Sequence, residues 1–80
     1  MTKDELKTWL ISRGYTEDTF GHFKNTIGEQ TYRYKIQDIS VRREVQYANS
    51  DGSHYWARLS TGYLKNLSIN DKNQIVGLKR

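Results

Sequence analysis

The sequence predicts an α+β fold: one N-terminal helix packed on a four- to five-stranded antiparallel sheet or partly open small barrel. Three observations predict it. Thr2 and Glu5 stand at the spacing of a helix capping box, ahead of Leu6, Trp9 and Leu10 on one helical face. From Thr31 to Tyr47, Tyr, Ile and Val alternate with Arg, Lys and other polar residues at the period of a strand. Asn49-Ser50-Asp51-Gly52 then supplies the Asx and Gly residues that a hairpin turn needs.

Taken in order, the helix is expected from about Lys3 to Arg13. Asp4 and Glu5 complement the positive end of its dipole, and Gly14 closes it at the left-handed position. Tyr15 then falls where a Schellman motif folds a hydrophobe back onto Leu10, and Trp9 is the largest anchor expected against the sheet. Thr16 to Glu29 reads in two ways. Thr16-Glu17-Asp18 caps a second short helix presenting Phe20, Phe23 and Ile27, or Phe20 to Asn25 is a short strand joined by a turn at Thr26-Ile27-Gly28-Glu29 to the next strand. Gly21 and Asn25 weaken a helix interior, which favours the strand.

Gln37-Asp38 breaks the alternation and marks either a bulge or a tight turn. Ile39, Val41, Arg43, Val45 and Tyr47 continue one phase after it, so Val41–Tyr47 and His54–Ser60 form the firmest hairpin. Ser60-Thr61-Gly62 is expected to end its second strand. Tyr63, Leu67 and Ile69 share a strand phase with Lys65, although Leu64 and Leu67 also suit a single helical turn. Asn70-Asp71-Lys72-Asn73 reads as a turn before a last strand, Gln74 to Lys79. Tyr34 and Tyr47 are expected in the core, because aliphatic residues are few and aromatic rings must fill it.

Eighty residues allow one domain, 1–80, with a thin core: a chain of this size buries roughly 60% of the surface its unfolded form exposes. No cysteine is present, which excludes disulfides and thiolate chemistry and suits a cytoplasmic setting. No apolar run approaches the roughly 20 residues that span a bilayer, so no membrane role is expected. The net charge is +4 and unevenly placed. Residues 1–30 hold four basic and five acidic side chains, whereas residues 53–80 hold five and one. That asymmetry favours an anionic partner.

Catalysis is not expected. His22 and His54 are the only histidines and neither has a second ligand at metal-site spacing, so no metal or other cofactor is expected. Ser53 and His54 are adjacent on a strand and point to opposite faces, poorly placed as nucleophile and base. The basic and aromatic residues are the better candidates. Arg33, Lys35, Arg42, Arg58 and Lys65 are expected on a polyanion-binding face, with Trp56 or Tyr63 as the stacking group for a base of DNA or RNA. Arg43 shares the phase of Val41 and Val45. A guanidinium there requires a sheet edge, a carboxylate such as Glu29 or Asp38, or a different phase.

The segments Tyr32-Arg33-Tyr34-Lys35, Ser40-Val41-Arg42-Arg43-Glu44, Tyr55-Trp56-Ala57-Arg58-Leu59-Ser60 and Tyr63-Leu64-Lys65-Asn66-Leu67-Ser68-Ile69 resemble small uncharacterised proteins encoded in phages and prophages of low-GC Gram-positive bacteria. The resemblance spans Phe20 to Leu78. It implies an accessory role of one of two kinds: binding nucleic acid, or acting as an inhibitor or adaptor on a host or phage protein. The second kind would use an exposed aromatic patch or self-association into a homodimer through an open sheet edge.

Overall fold

Helix α1 runs from Lys3 to Ser12 in the computed structural model, which describes residues 1–80. Its capping box is complete: Glu5 N–H donates to Thr2 Oγ1 at 3.1 Å and Thr2 N–H donates to Glu5 Oε1 at 2.8 Å. At the other end Gly14 takes a φ of 92°, with Gly14 N–H donating to Ile11 O and Tyr15 N–H to Leu10 O, the two bonds of a Schellman motif. Tyr15 is thereby turned into the core beside Leu10.

Five antiparallel strands follow in sheet order: β1 (Thr16–Glu17), β2 (Phe23–Ile27), β3 (Gln30–Ile36), β4 (Ser40–Ala48) and β5 (His54–Tyr63). The sheet is open and does not close into a barrel. The strand reading of the ambiguous segment is the observed one, with its start displaced. Phe20 stands exposed in the loop before β2, because Asp18 Oδ1 accepts from the Phe20 and His22 N–H groups and winds that stretch into an Asx turn. β2 also continues through Ile27, and only Gly28-Glu29 form the loop, with Gly28 at a φ of 64°. Gln37-Asp38 lies in a tight turn in which Gln37 N–H donates to Ser40 O. Ile39 is at the tip of that turn and exposed, outside the strand phase predicted for it.

β5 is three residues longer than expected. Leu59 bulges out of the ladder, since Arg43 pairs with Ser60 but Glu44 with Arg58. The strand then runs on through Gly62, whose missing Cβ admits the carbonyl of Gly77. Thr61 and Lys79 exchange both backbone hydrogen bonds, at 2.7 and 2.8 Å, beside that close approach. The C-terminal segment consists of a 3₁₀ turn (Leu64–Asn66) and a small ribbon of β6 (Ser68–Ile69) and β7 (Ile75–Val76). Leu64 and Leu67 are buried as one helical turn, and the predicted last strand shrinks to two ladder residues plus the bridge at Lys79.

The core is a single cluster of Leu6, Leu10, Tyr15, Phe23, Tyr34, Val41, Leu64 and Leu67. All of it lies on one side of the sheet. Two aromatic expectations change. Trp9 is half-buried at the rim, donating through Nε1 to Asn73 Oδ1 at 3.1 Å, and Leu6 and Leu10 are the fully buried anchors instead. Tyr47 has the core phase but is exposed beside Tyr55, at 5.8 Å between ring centroids. A ten-residue helix is about 15 Å long at ~1.5 Å per residue. The β4–β5 hairpin reaches about 30 Å at ~3.4 Å per residue, twice the length of the helix.

Candidate nucleic-acid interface

Residues paired across an antiparallel ladder project to the same face, so the register divides the sheet into two surfaces. Phe23, Tyr34 and Arg43 form one row under the helix. The opposite surface bears no helix. One row there reads Lys24, Arg33, Glu44, Arg58 across β2 to β5, and the next reads Lys35, Arg42, Thr61 across β3 to β5. Trp56 pairs with Gln46 on the same side.

Glu44 organises this surface. It is buried to 4% and accepts from Arg33 Nε at 2.6 Å, while Arg42 Nη1 stands 3.8 Å from its other oxygen. The Arg33 guanidinium lies 4.2 Å from the centroid of the Trp56 ring, and Lys24 Nζ stands 5.7 Å from the same ring. Lys24 is also paired with Asp18 at 3.2 Å. Lys24, Arg33 and Arg42 thus each have a carboxylate, with Glu44 shared between the two arginines. Lys35 and Arg58 form no ion pair, and Lys35 sits directly opposite Arg42.

The rim near β2 contains His22, whose Nδ1 is 4.0 Å from Asp18 Oδ2, a separation too long for a hydrogen bond. Burial is the main cause that holds the His22 pKa below its ordinary value, and the Arg33 charge adds to it. Burial acts to raise the Asp18 pKa, but N–H bonds from His22 and Phe20 together with Lys24 outweigh it and leave the carboxyl below its usual range. No three His, Cys, Asp or Glu side chains converge as a metal site.

Of the predicted residues, Arg33, Lys35, Arg42, Trp56 and Arg58 share the helix-free surface. The other two lie at its end. Tyr63, opposite Ser40, is roughly 20 Å along β5 from Trp56 at ~3.3 Å per residue, so one nucleotide cannot stack on both. It lines a cleft with Ile39, Leu64 and Lys65, the last on the 3₁₀ turn and exposed. Trp56 has one ring face covered by Arg33. Sequence reasoning missed Lys24, Glu44 and Asp18 on this surface. The period-two placement of Lys24 after Phe23 was the available signal, but assigning it required the β2–β3 register.

None of the three alternatives raised for Arg43 holds. β4 lies inside the sheet, the strand phase is as read, and no carboxylate pairs with Arg43, since Asp38 contacts Lys3 instead. Its guanidinium lies 4.7 Å over the Tyr32 ring. No family model, curated protein or solved structure matches this chain. No helix is long and apolar enough to cross a membrane.

Proposed function

We propose that this chain is a non-enzymatic, phage-type accessory protein that binds nucleic acid through the helix-free surface of its sheet. One observation carries the reading. Lys35 and Arg42 face each other across β3 and β4, and like charges directly opposite on a ladder repel. With Arg58 unpaired one row away, the surface keeps a positive excess that a phosphate backbone would relieve. Phosphate contacts give affinity with little sequence choice, so binding should fall steeply as salt rises. Arg42→Glu and Arg58→Glu should weaken it alike for every sequence. Fluorescence anisotropy against short single-stranded and duplex DNA and RNA at two salt concentrations tests this, and the absence of binding at low salt removes the proposal.

A second reading, a protein contact or homodimer, is favoured by the outer edge of β5. The β4 strand covers its inner side only, and Thr61 is the one position bridged from outside. Residues 54–60 therefore present free backbone groups next to exposed Tyr47 and Tyr55. Sedimentation that shows a dimer, lost when His54, whose backbone N–H faces away from β4, is replaced by proline, supports this reading over the first.

A further inference from the structure

The helix side of the sheet contains a hollow that is independent of the surface just described. It has a volume of ≈ 360 Å³, within the range of about 300–1,000 Å³ typical of small-ligand sites. Its polar lining includes Arg13, Arg43, Tyr15, Tyr34 and Ser60, and its apolar wall includes Trp9, Ile75 and Leu78. No acidic residue lines it. Neither arginine forms an ion pair anywhere in the molecule.

Both guanidiniums are seated on rings. Arg43 stands 4.7 Å from the Tyr32 centroid and Arg13 5.9 Å from that of Trp9. Trp9 is in turn fixed by its bond to Asn73, and Asn25 Nδ2 donates to Arg13 O at 3.3 Å, which holds the backbone that carries Arg13. Stacking of this kind orients a guanidinium plane, and Arg43 also lies beside the Tyr15 and Tyr34 hydroxyls, which leaves the remaining N–H donors of its fork to the hollow. A half-buried arginine without a counter-ion is costly unless something supplies one.

We infer that this hollow binds a small phosphate monoester, with the dianionic phosphate between Arg13 and Arg43 and an aromatic or apolar body against Trp9, Ile75 and Leu78. Two guanidiniums match a double negative charge and offer forked donors to several oxygens. The hydroxyls of Tyr15, Tyr34 and Ser60 add further donors. Burial pushes both phenols up, Tyr34 to about 12, so each keeps its proton at neutral pH and donates it.

The test uses Trp56→Phe protein, in which Trp9 is the only remaining tryptophan and reports on this site. Titration with phenyl phosphate should change Trp9 emission saturably. Arg13→Gln and Arg43→Gln should each weaken binding about tenfold, and Arg58→Gln, on the opposite surface, should leave it unchanged. Arg13 is exposed, so its variant keeps the fold and remains decisive even if Arg43→Gln does not. Affinity should rise from pH 5 to 7.5, because the second proton of a phosphate monoester leaves near pH 6, while no histidine or carboxylate lines the hollow. Benzoate should bind more weakly at pH 7.5 and lack this dependence. No saturable change, an unaffected Arg13→Gln protein, benzoate equal to phenyl phosphate at pH 7.5, or an equal loss in Arg58→Gln would each overturn the inference. Oligonucleotide binding plays no part in these readouts, so they stand or fall separately from the proposed function.

Discussion

Arg33 and Arg43 occupy neighbouring strands on opposite sides of one sheet, and each lies over an aromatic ring. Their charges are treated differently. Arg33 meets Glu44 at 2.6 Å and closes a local pair under Trp56, whereas Arg43 has Tyr15 and Tyr34 for neighbours and no carboxylate. On the helix-free surface Glu44 is shared between Arg33 and Arg42, which leaves Lys35 and Arg58 as the cations without a carboxylate. Under the helix the excess is Arg43 itself, in a hollow. Stacking alone therefore does not tell a structural arginine from one kept free. The presence or absence of a carboxylate does.

The largest effect sharpens this comparison by fixing what the core contributes without either arginine. Leu10 is fully buried against Tyr15, Phe23 and Tyr34, and Leu10→Ala should cost about 3–5 kcal/mol in urea unfolding. Trp9→Ala, at the half-buried rim, should cost less. A larger loss for Trp9 than for Leu10 would move the centre of the core toward the hollow.

What could be read from the sequence was what local signals specify. Thr2, Glu5 and Gly14 mark both ends of the helix within a few residues of it, and Asn49–Gly52 marks its hairpin, because caps and turns are chosen by neighbouring backbone geometry. The shared surface of Arg33, Lys35, Arg42, Trp56 and Arg58 also followed from period two. What failed depended on distant partners. The Leu59 bulge shifts the face of every later β5 residue without any glycine to announce it, and Tyr47 has the core phase yet lies near the hairpin tip, outside the buried cluster. Arg13 and Arg43 are thirty positions apart, and no spacing rule brings them together.

A smaller effect tests the compensated arginine. Glu44→Gln keeps a carbonyl oxygen for Arg33 Nε but removes the charge from a buried site, leaving Arg33 without its counter-ion. The expected loss is about 1–3 kcal/mol at neutral pH, read from denaturant midpoints at unchanged slope. Double-mutant analysis with Arg33→Gln should recover part of that loss, since the two side chains are in contact. Full additivity would mean that the pair is geometric only.

The smallest effect belongs to the arginine without a carboxylate. Arg43→Met replaces a half-buried cation with a flexible apolar chain of similar length that can still cover Tyr32, and removing an uncompensated charge from such a place is neutral or stabilising. The change in unfolding free energy should stay within about 1 kcal/mol of zero, with the sign opposite to that of Glu44→Gln or indistinguishable from none. A loss above about 2 kcal/mol would make Arg43 a structural element of the core, bound to the phenols, and erase the contrast with Arg33. A neutral result leaves its charge without a role in stability, and the remaining account of a guanidinium held over a ring in an acid-free hollow is that it faces an anion from outside the chain.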